Sequence, residues 1–149
     1  HVVDDRPEFA NKERFPSAES VIVADYAEGI KQLDIRPNTS IVVATRGHRE
    51  DDRALEAAVK SPAGYVGLVG SKRKTILIYE ELLKNDVPLE RLAAVHAPVG
   101  LDIGAKTPEE IAVSIMGEIV AFREGRSGKT LAMESRYLKK LATKVGVAV

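Results

Sequence analysis

The stretch Tyr65-Val66-Gly67-Leu68-Val69-Gly70-Ser71-Lys72-Arg73-Lys74 decides how this chain is read. An apolar, β-branched run of this length predicts a short strand buried on both faces. The Gly70-Ser71 pair that ends it supplies a turn and then a helix N-cap. The helix that follows opens with Lys72, Arg73 and Lys74. Three cations in a first turn oppose the helix dipole, which favours acids there by about 0.3–1 kcal/mol per charge. Either a phosphate or pyrophosphate bound by the backbone N–H groups of that turn offsets the cations, or the cations point into water. The turn's place at the carboxyl end of a strand, where open α/β sheets bind ligands, favours the phosphate.

Outward from this unit the same pattern recurs. Val2-Val3 runs into Asp4-Asp5, Val21-Ile22-Val23-Ala24 into Asp25, and Ile41-Val42-Val43-Ala44 into Thr45. Helical spacing falls on Ala54, Leu55, Ala58 and Val59, then on Ile76, Tyr79, Leu82 and Leu83, then on Ile111, Ile115, Ile119 and Phe122. Pro62, Pro88 and Gly125 mark where those helices stop. Thr107-Pro108-Glu109-Glu110 carries a capping box with proline in the first turn, so a helix of about 16 residues starts there. Short strands alternating with amphipathic helices predict an α/β protein: a Rossmann-like, doubly wound, mainly parallel sheet with flanking helices. That fold opens with a strand and a glycine-rich turn, yet no G-x-G-x-x-G occurs and Val2-Val3-Asp4 reads as its second strand ending in an acid. The usual first βα unit is therefore expected to be lacking. This places the domain at residues 1–125, incomplete at its N-terminal side, and an amphipathic helical extension at 126–149, with Leu131, Leu138, Leu141 and Val145 on one face.

Composition narrows the function. With 22 Lys+Arg against 22 Asp+Glu among 149 residues, the net charge is zero, which argues against coating nucleic acid or an anionic membrane by bulk electrostatics. The absence of cysteine removes disulfides, thiolate zinc sites, iron–sulfur clusters and a thiol nucleophile. The longest apolar runs fall far short of a membrane span, and the opening residues do not read as a secretory leader, so a soluble, cytoplasmic protein is expected.

The remaining motifs carry less. Gly125-Arg126-Ser127-Gly128-Lys129-Thr130 lacks the first glycine and the preceding strand of a P-loop, and it reads as a flexible link. Thr45-Arg46-Gly47-His48 lies at a strand's carboxyl end. There Arg46 and His48 hold an oxyanion or move a proton, or else His48 caps a turn and Arg46 pairs with Asp51 or Asp52. The segment His96-Ala97-Pro98-Val99-Gly100-Leu101-Asp102-Ile103-Gly104-Ala105 is too apolar for a surface loop and too interrupted for a strand. It folds over the sheet edge, either as a ligand wall with Asp102 or His96 as polar contact or as a packed crossover. No metal-ligand spacing and no nucleophile elbow is found, so neither catalytic nor metal-ligating residues are assigned.

In order along the chain, Val3-Asp4-Asp5-Arg6-Pro7-Glu8-Phe9-Ala10-Asn11, Arg14-Phe15-Pro16, Thr45-Arg46-Gly47-His48, Gly67-Leu68-Val69-Gly70-Ser71-Lys72-Arg73-Lys74, His96-Ala97-Pro98-Val99-Gly100-Leu101-Asp102-Ile103-Gly104 and Thr107-Pro108-Glu109-Glu110-Ile111-Ala112 resemble the C-terminal Rossmann-like domain of the XdhC/CoxI family. The resemblance implies an accessory protein of molybdenum hydroxylases such as xanthine dehydrogenase. Such a protein acts as a chaperone that binds molybdenum cofactor (molybdopterin) or a related nucleotide and delivers it to the apoenzyme. The expected cofactor contacts are Asp4, Arg46, His48, Gly70, Ser71, Lys72, Arg73 and Asp102. The competing expectation is an NAD(P)- or FAD-dependent oxidoreductase with Asp4 on the ribose, which the missing glycine turn disfavours. The expected partners are the molybdenum hydroxylase apoenzyme and whatever fills the open sheet edge, an N-terminal half or a second copy of the chain.

Overall fold

The computed structural model describes residues 1–147, apart from the side chains of His48 and Arg49. Strands β1 (Val2–Asp4) and β2 (Val21–Val23) precede helix α1 (Tyr26–Lys31). Strand β3 (Ser40–Val43), helix α2 (His48–Lys60), strand β4 (Tyr65–Leu68) and helix α3 (Lys72–Lys84) follow, then α4 (Leu89–Ala93), α5 (Pro108–Arg123) and α6 (Ser135–Lys144). The four strands and the capped helix lie where their patterns place them. The short helices α1 and α4, which have too few residues to show a period, are additions.

All pairings are parallel. β1 pairs with β2 through Val2 opposite Val21, and β3 with β4 through Ser40 opposite Tyr65. Among the described residues these remain separate two-stranded sheets rather than one continuous sheet. The gap lies between β1 and β3, where the missing first βα unit of a doubly wound fold would stand. On its far side β4 is bordered by the segment after α4, which adds one parallel bridge between Gly67 and His96.

The core belongs to the second sheet. Val43, Leu55, Ala58, Val59, Leu68, Ile78, Leu82 and Leu92 form one buried cluster, with Leu55 and Leu68 wholly enclosed. Every residue of β4 is buried, as a strand covered on both faces must be, whereas β1 is only half-buried and Val42 and Val23 are exposed. The expectation that all strands are covered on both faces therefore holds for β4 alone. The helix faces are adjusted too: α3 buries Thr75, Ile78 and Leu82 and leaves Ile76 and Leu83 outside, and α5 buries Ser114 and Ile115 while Ile111 and Phe122 stay largely exposed. Four-residue stepping from Ile78 to Leu82 defines the inner line of α3, and Ile76 lies off it. α2 buries Ala54, Leu55, Ala58 and Val59 together.

Local signals place the ends. Ser71 Oγ accepts from the Lys74 N–H at the start of α3, and Thr107 and Glu110 close the capping box of α5. α6 presents Tyr137, Leu138 and Leu141 to the outside and buries no residue, and Val145 just beyond its end is exposed as well. No helix among the described residues is long and apolar enough to cross a membrane.

Candidate functional site

The carboxyl ends of β1, β3 and β4 are tied to one another by charged side chains. After β1, Asp4 is held by Arg6, whose Nε donates to Oδ1 at 2.9 Å, Nη2 to Oδ2 at 3.0 Å and backbone N–H to Oδ1 at 3.0 Å. The side-chain bonds from Arg6 hold the Asp4 carboxyl below its ordinary range, against the opposing effect of burial. Arg46, in the loop after β3, reaches across to Asp5 and donates to both of its oxygens at 3.1 Å. Its described carboxylate partner is therefore neither of the two acids its sequence neighbourhood offers, Asp51 and Asp52, but one that lies 41 positions away.

Asp51 links the loop after β3 to the basic turn after β4. Its carboxylate is fully buried, accepts from Thr45 Oγ1 at 2.6 Å and forms an ion pair with Lys74. One of the three cations of the α3 first turn is thus offset by a buried acid of the protein itself. A Cβ at Gly70 would come within 3.2 Å of Lys74 Cδ, so the glycine leaves room for that side chain to lie back toward Asp51. Lys72 and Arg73 are exposed and, among the described residues, have no protein acceptor. They flank the N-terminus of a 13-residue helix whose first N–H groups face the strand end.

The expected contact residues therefore fall into three positions. Gly70, Ser71, Lys72 and Arg73 form one turn, joined through Lys74 and Asp51 to the loop that carries Arg46, and Arg46 in turn meets the β1 end where Asp4 lies. Asp102 is exposed, and no described contact joins it to this group. The side chain of His48 lies outside the described residues. His96 sits beside Gly67, part-way along β4, where its Nδ1 is 3.1 Å from Glu118 Oε1 and its ring stacks on Tyr65 at 4.4 Å.

That contact belongs to a second carboxylate site, centred on the partly buried Glu118, which sequence reasoning missed. Glu118 on α5 accepts from Tyr65 Oη at 2.8 Å and from the Gly100 N–H at 2.7 Å besides meeting His96. Burial pushes the Glu118 carboxyl up, but the bonds from Gly100, Tyr65 and His96 outweigh it and the net shift is downward. The same burial, with the Glu118 charge, pushes the Tyr65 phenol well above its ordinary range. Glu118 pins α5 and the 96–101 segment to the start of β4. Asp51 was legible in principle, because it stands on the buried line of α2 with Leu55 and Ala58, where a lone acid calls for a cation. Glu118 carried no such signal, since its partners are a strand residue 53 positions away and a loop amide.

The profile of the XdhC Rossmann domain matches residues 1–119. The chain belongs to the XdhC Rossmann-domain family. It is 36% identical over 128 residues to the uncharacterized protein YqeB of Escherichia coli K12, covering 85% of this chain and 23% of that protein. It is 33% identical over 123 residues to a probable xanthine dehydrogenase component of Bacillus subtilis 168, covering 83% of this chain and 35% of that one. A crystal structure described as a xanthine dehydrogenase from Bacillus halodurans superposes with a TM-score of 0.70 at 32% identity, over 83% of this chain and 36% of that chain. The XdhC domain thus spans about a quarter to a third of the relatives it matches. This resemblance covers all three strand ends of the site.

Proposed function

We propose that this XdhC domain binds a small phosphorylated cofactor, molybdenum cofactor or a related nucleotide, at the carboxyl edge of its strands. We propose further that it serves as an accessory to a molybdenum hydroxylase of the xanthine dehydrogenase type, without turnover of its own. One observation carries the reading: Lys72 and Arg73 stand without protein acceptors among the described residues at the first turn of α3, while Lys74 beside them is engaged by buried Asp51. The protein has offset one cation of three and left two exposed in the turn where a phosphate would accept from the helix N–H groups. Arg46 adds a third cation on the neighbouring strand end, held in place by Asp5. The fit is to the phosphate of such a cofactor. Ser71, the cap of α3, sets the direction of the N–H groups, and Lys72 and Arg73 supply charge. The molybdenum centre is cargo whose redox chemistry belongs to the receiving enzyme. The names of the Bacillus relatives support xanthine dehydrogenase as the kind of enzyme served.

A dinucleotide oxidoreductase is the weaker reading. Asp4, its ribose ligand, has both oxygens engaged by Arg6. A sugar hydroxyl would have to share or displace those bonds.

The test is titration of the chain with isolated molybdenum cofactor, with NAD and FAD as comparators, before and after the double change Lys72→Ala, Arg73→Ala. Charge-assisted bonds contribute about 1.5–3 kcal/mol each, so the variant is expected to bind at least roughly tenfold more weakly. Unchanged affinity at moderate salt overturns the site. Tighter binding of NAD or FAD than of molybdenum cofactor overturns the ligand class.

A further inference from the structure

Helix α6 buries no residue and takes no part in the core, yet its side chains are strictly sorted. At about 3.6 residues per turn, Tyr137, Leu138, Leu141 and Ala142 fall on one side, and Val145 just beyond its end continues that line, an apolar arc of about 140°. The rest of the circumference carries Arg136, Lys139, Lys140 and Lys144, with no acid from Ser135 to Lys144. α2 is the contrast. Its apolar line of Ala54, Leu55, Ala58 and Val59 is buried, and its outer positions mix signs, with Arg53 and Lys60 beside Glu50 and Glu56 and Lys60 paired to Glu56. A solvated helix face is ordinarily mixed in this way.

The one-signed face of α6 is unfavourable in water. Arg136 with Lys140 and Lys140 with Lys144 are like-charge pairs at i,i+4, and each weakens an isolated helix. A helix of 10 residues is already marginal in water when nothing packs on its apolar side. Whatever stabilises α6 therefore supplies negative charge and apolar contact together. The segment before it repeats both needs, since Arg126 and Lys129 are cations and Leu131 and Met133 are exposed. Residues 126–149 hold 6 of the 22 cations and 1 of the 22 acids, so the zero net charge of the whole chain conceals a basic segment.

The opposed arcs decide the partner. A folded protein seated on the apolar arc leaves the lysines on the far side in water, their repulsion unrelieved, and lysine is depleted in protein interfaces. Nucleic-acid phosphates use the cations and leave the apolar arc uncovered. At a bilayer surface the helix lies among headgroups, so acyl chains take the apolar arc while lipid phosphates reach the cations along its flanks. Ten residues make about 15 Å of helix, too short for the ~30 Å hydrocarbon core but suited to lying in its plane.

We propose that α6, with Leu131 and Met133 before it, is an in-plane anchor for an anionic bilayer surface. Tyr137, Leu138 and Leu141 enter the boundary between headgroups and acyl chains, and Arg136, Lys139, Lys140 and Lys144 pair with anionic headgroups. The segment 124–134, with Gly125 and Gly128 both at positive φ, joins this anchor to α5. The anchor is independent of the cofactor reading, since none of its residues belongs to the strand-end site.

The test mixes the full chain with vesicles of phosphatidylcholine and phosphatidylglycerol, with pure phosphatidylcholine vesicles as comparator. Co-sedimentation is expected to show at least roughly tenfold tighter binding to the mixed vesicles, weakened by added salt, and circular dichroism a gain of helix on binding. Leu138→Gln with Leu141→Gln removes the apolar side and keeps every cation; Lys139→Gln with Lys140→Gln does the reverse. Each pair is expected to reduce binding to the mixed vesicles by at least roughly tenfold. Because α6 buries no residue, both variants should unfold at the parent's midpoint, so that lost binding is not lost folding. Equal binding to the two kinds of vesicle, or binding to neither, overturns the proposal. So does undiminished binding by the Leu138 and Leu141 variant, which would place the adsorption on other cations such as Lys72 and Arg73. A parent that sediments as a dimer without vesicles, and as a monomer once Leu138 and Leu141 are replaced, assigns the apolar side to a second copy and overturns it equally.

Discussion

The two parallel sheets of this XdhC domain are built from the same kind of sequence and reach different ends. β3 and β4 with α2 and α3 contribute almost the whole buried cluster, and β4 is enclosed on both faces. β1 and β2 are equally β-branched, yet neither contains a fully buried residue, and Val23 is half exposed. The difference lies in what covers them. β4 has a strand on one side, a parallel bridge on the other and helices against it, whereas β1 has β2 on one side and an open slot on the other. Strand propensity alone gives no burial; neighbours do.

The sharpest way to break this comparison is in the core. Leu55→Ala removes a wholly enclosed side chain of α2, and a loss of about 2–5 kcal/mol in chemical denaturation is expected. If β1 and β2 stand only on the second sheet, their amides lose protection in the same transition. Asp51→Ala is next. It leaves the partly buried Lys74 without its acceptor and the Thr45 hydroxyl with only its long contact to the Gly47 carbonyl, and a cost of about 3 kcal/mol is expected. Asp51→Asn, which keeps an acceptor for Thr45, should recover part of that loss.

Glu118→Gln probes the far side of the second sheet and should cost about 1–3 kcal/mol, read as the shift of the denaturation midpoint. Its pH signature carries a sign. The folded-state pKa of Glu118 lies below its unfolded value, so its contribution is present above the ordinary carboxylate range, near pH 4.3, and is lost as pH falls through the folded value. The variant should therefore lose less stability than the parent between about pH 5 and pH 3. Arg46→Ala makes the smallest change. It opens an exposed ion pair between the two halves and should cost under about 1 kcal/mol, with any effect concentrated in exchange of the β1 amides and lessened by salt.

Much of the fold was legible. Valine and isoleucine runs ending in a small or polar residue located all four strands, and Thr107 with Glu110 located the start of α5 to the residue. The basic turn after β4 was legible as a helix start with an electrostatic conflict, but its partial resolution by Asp51 was not, because that contact spans two βα units. The pairing of Arg46 shows the same limit: sequence offered Asp51 and Asp52 nearby, and the structure uses Asp5. Helix faces were legible where the apolar line is unbroken, as in α2. They were misread in α3, where Ile76 and Leu83, both placed on the inner face, are exposed.

By itself the sequence determined the α/β class, the order and direction of the elements, and the placing of polar and glycine residues at strand ends. Those depend on short-range periodicity and on caps that act within four residues. Tertiary structure alone decided which cation each carboxylate engages, which cations are left exposed, and that two sheets stand apart around a slot. Each of those depends on groups brought together from distant parts of the chain, and local sequence carries no record of what will lie beside a residue once the chain has folded.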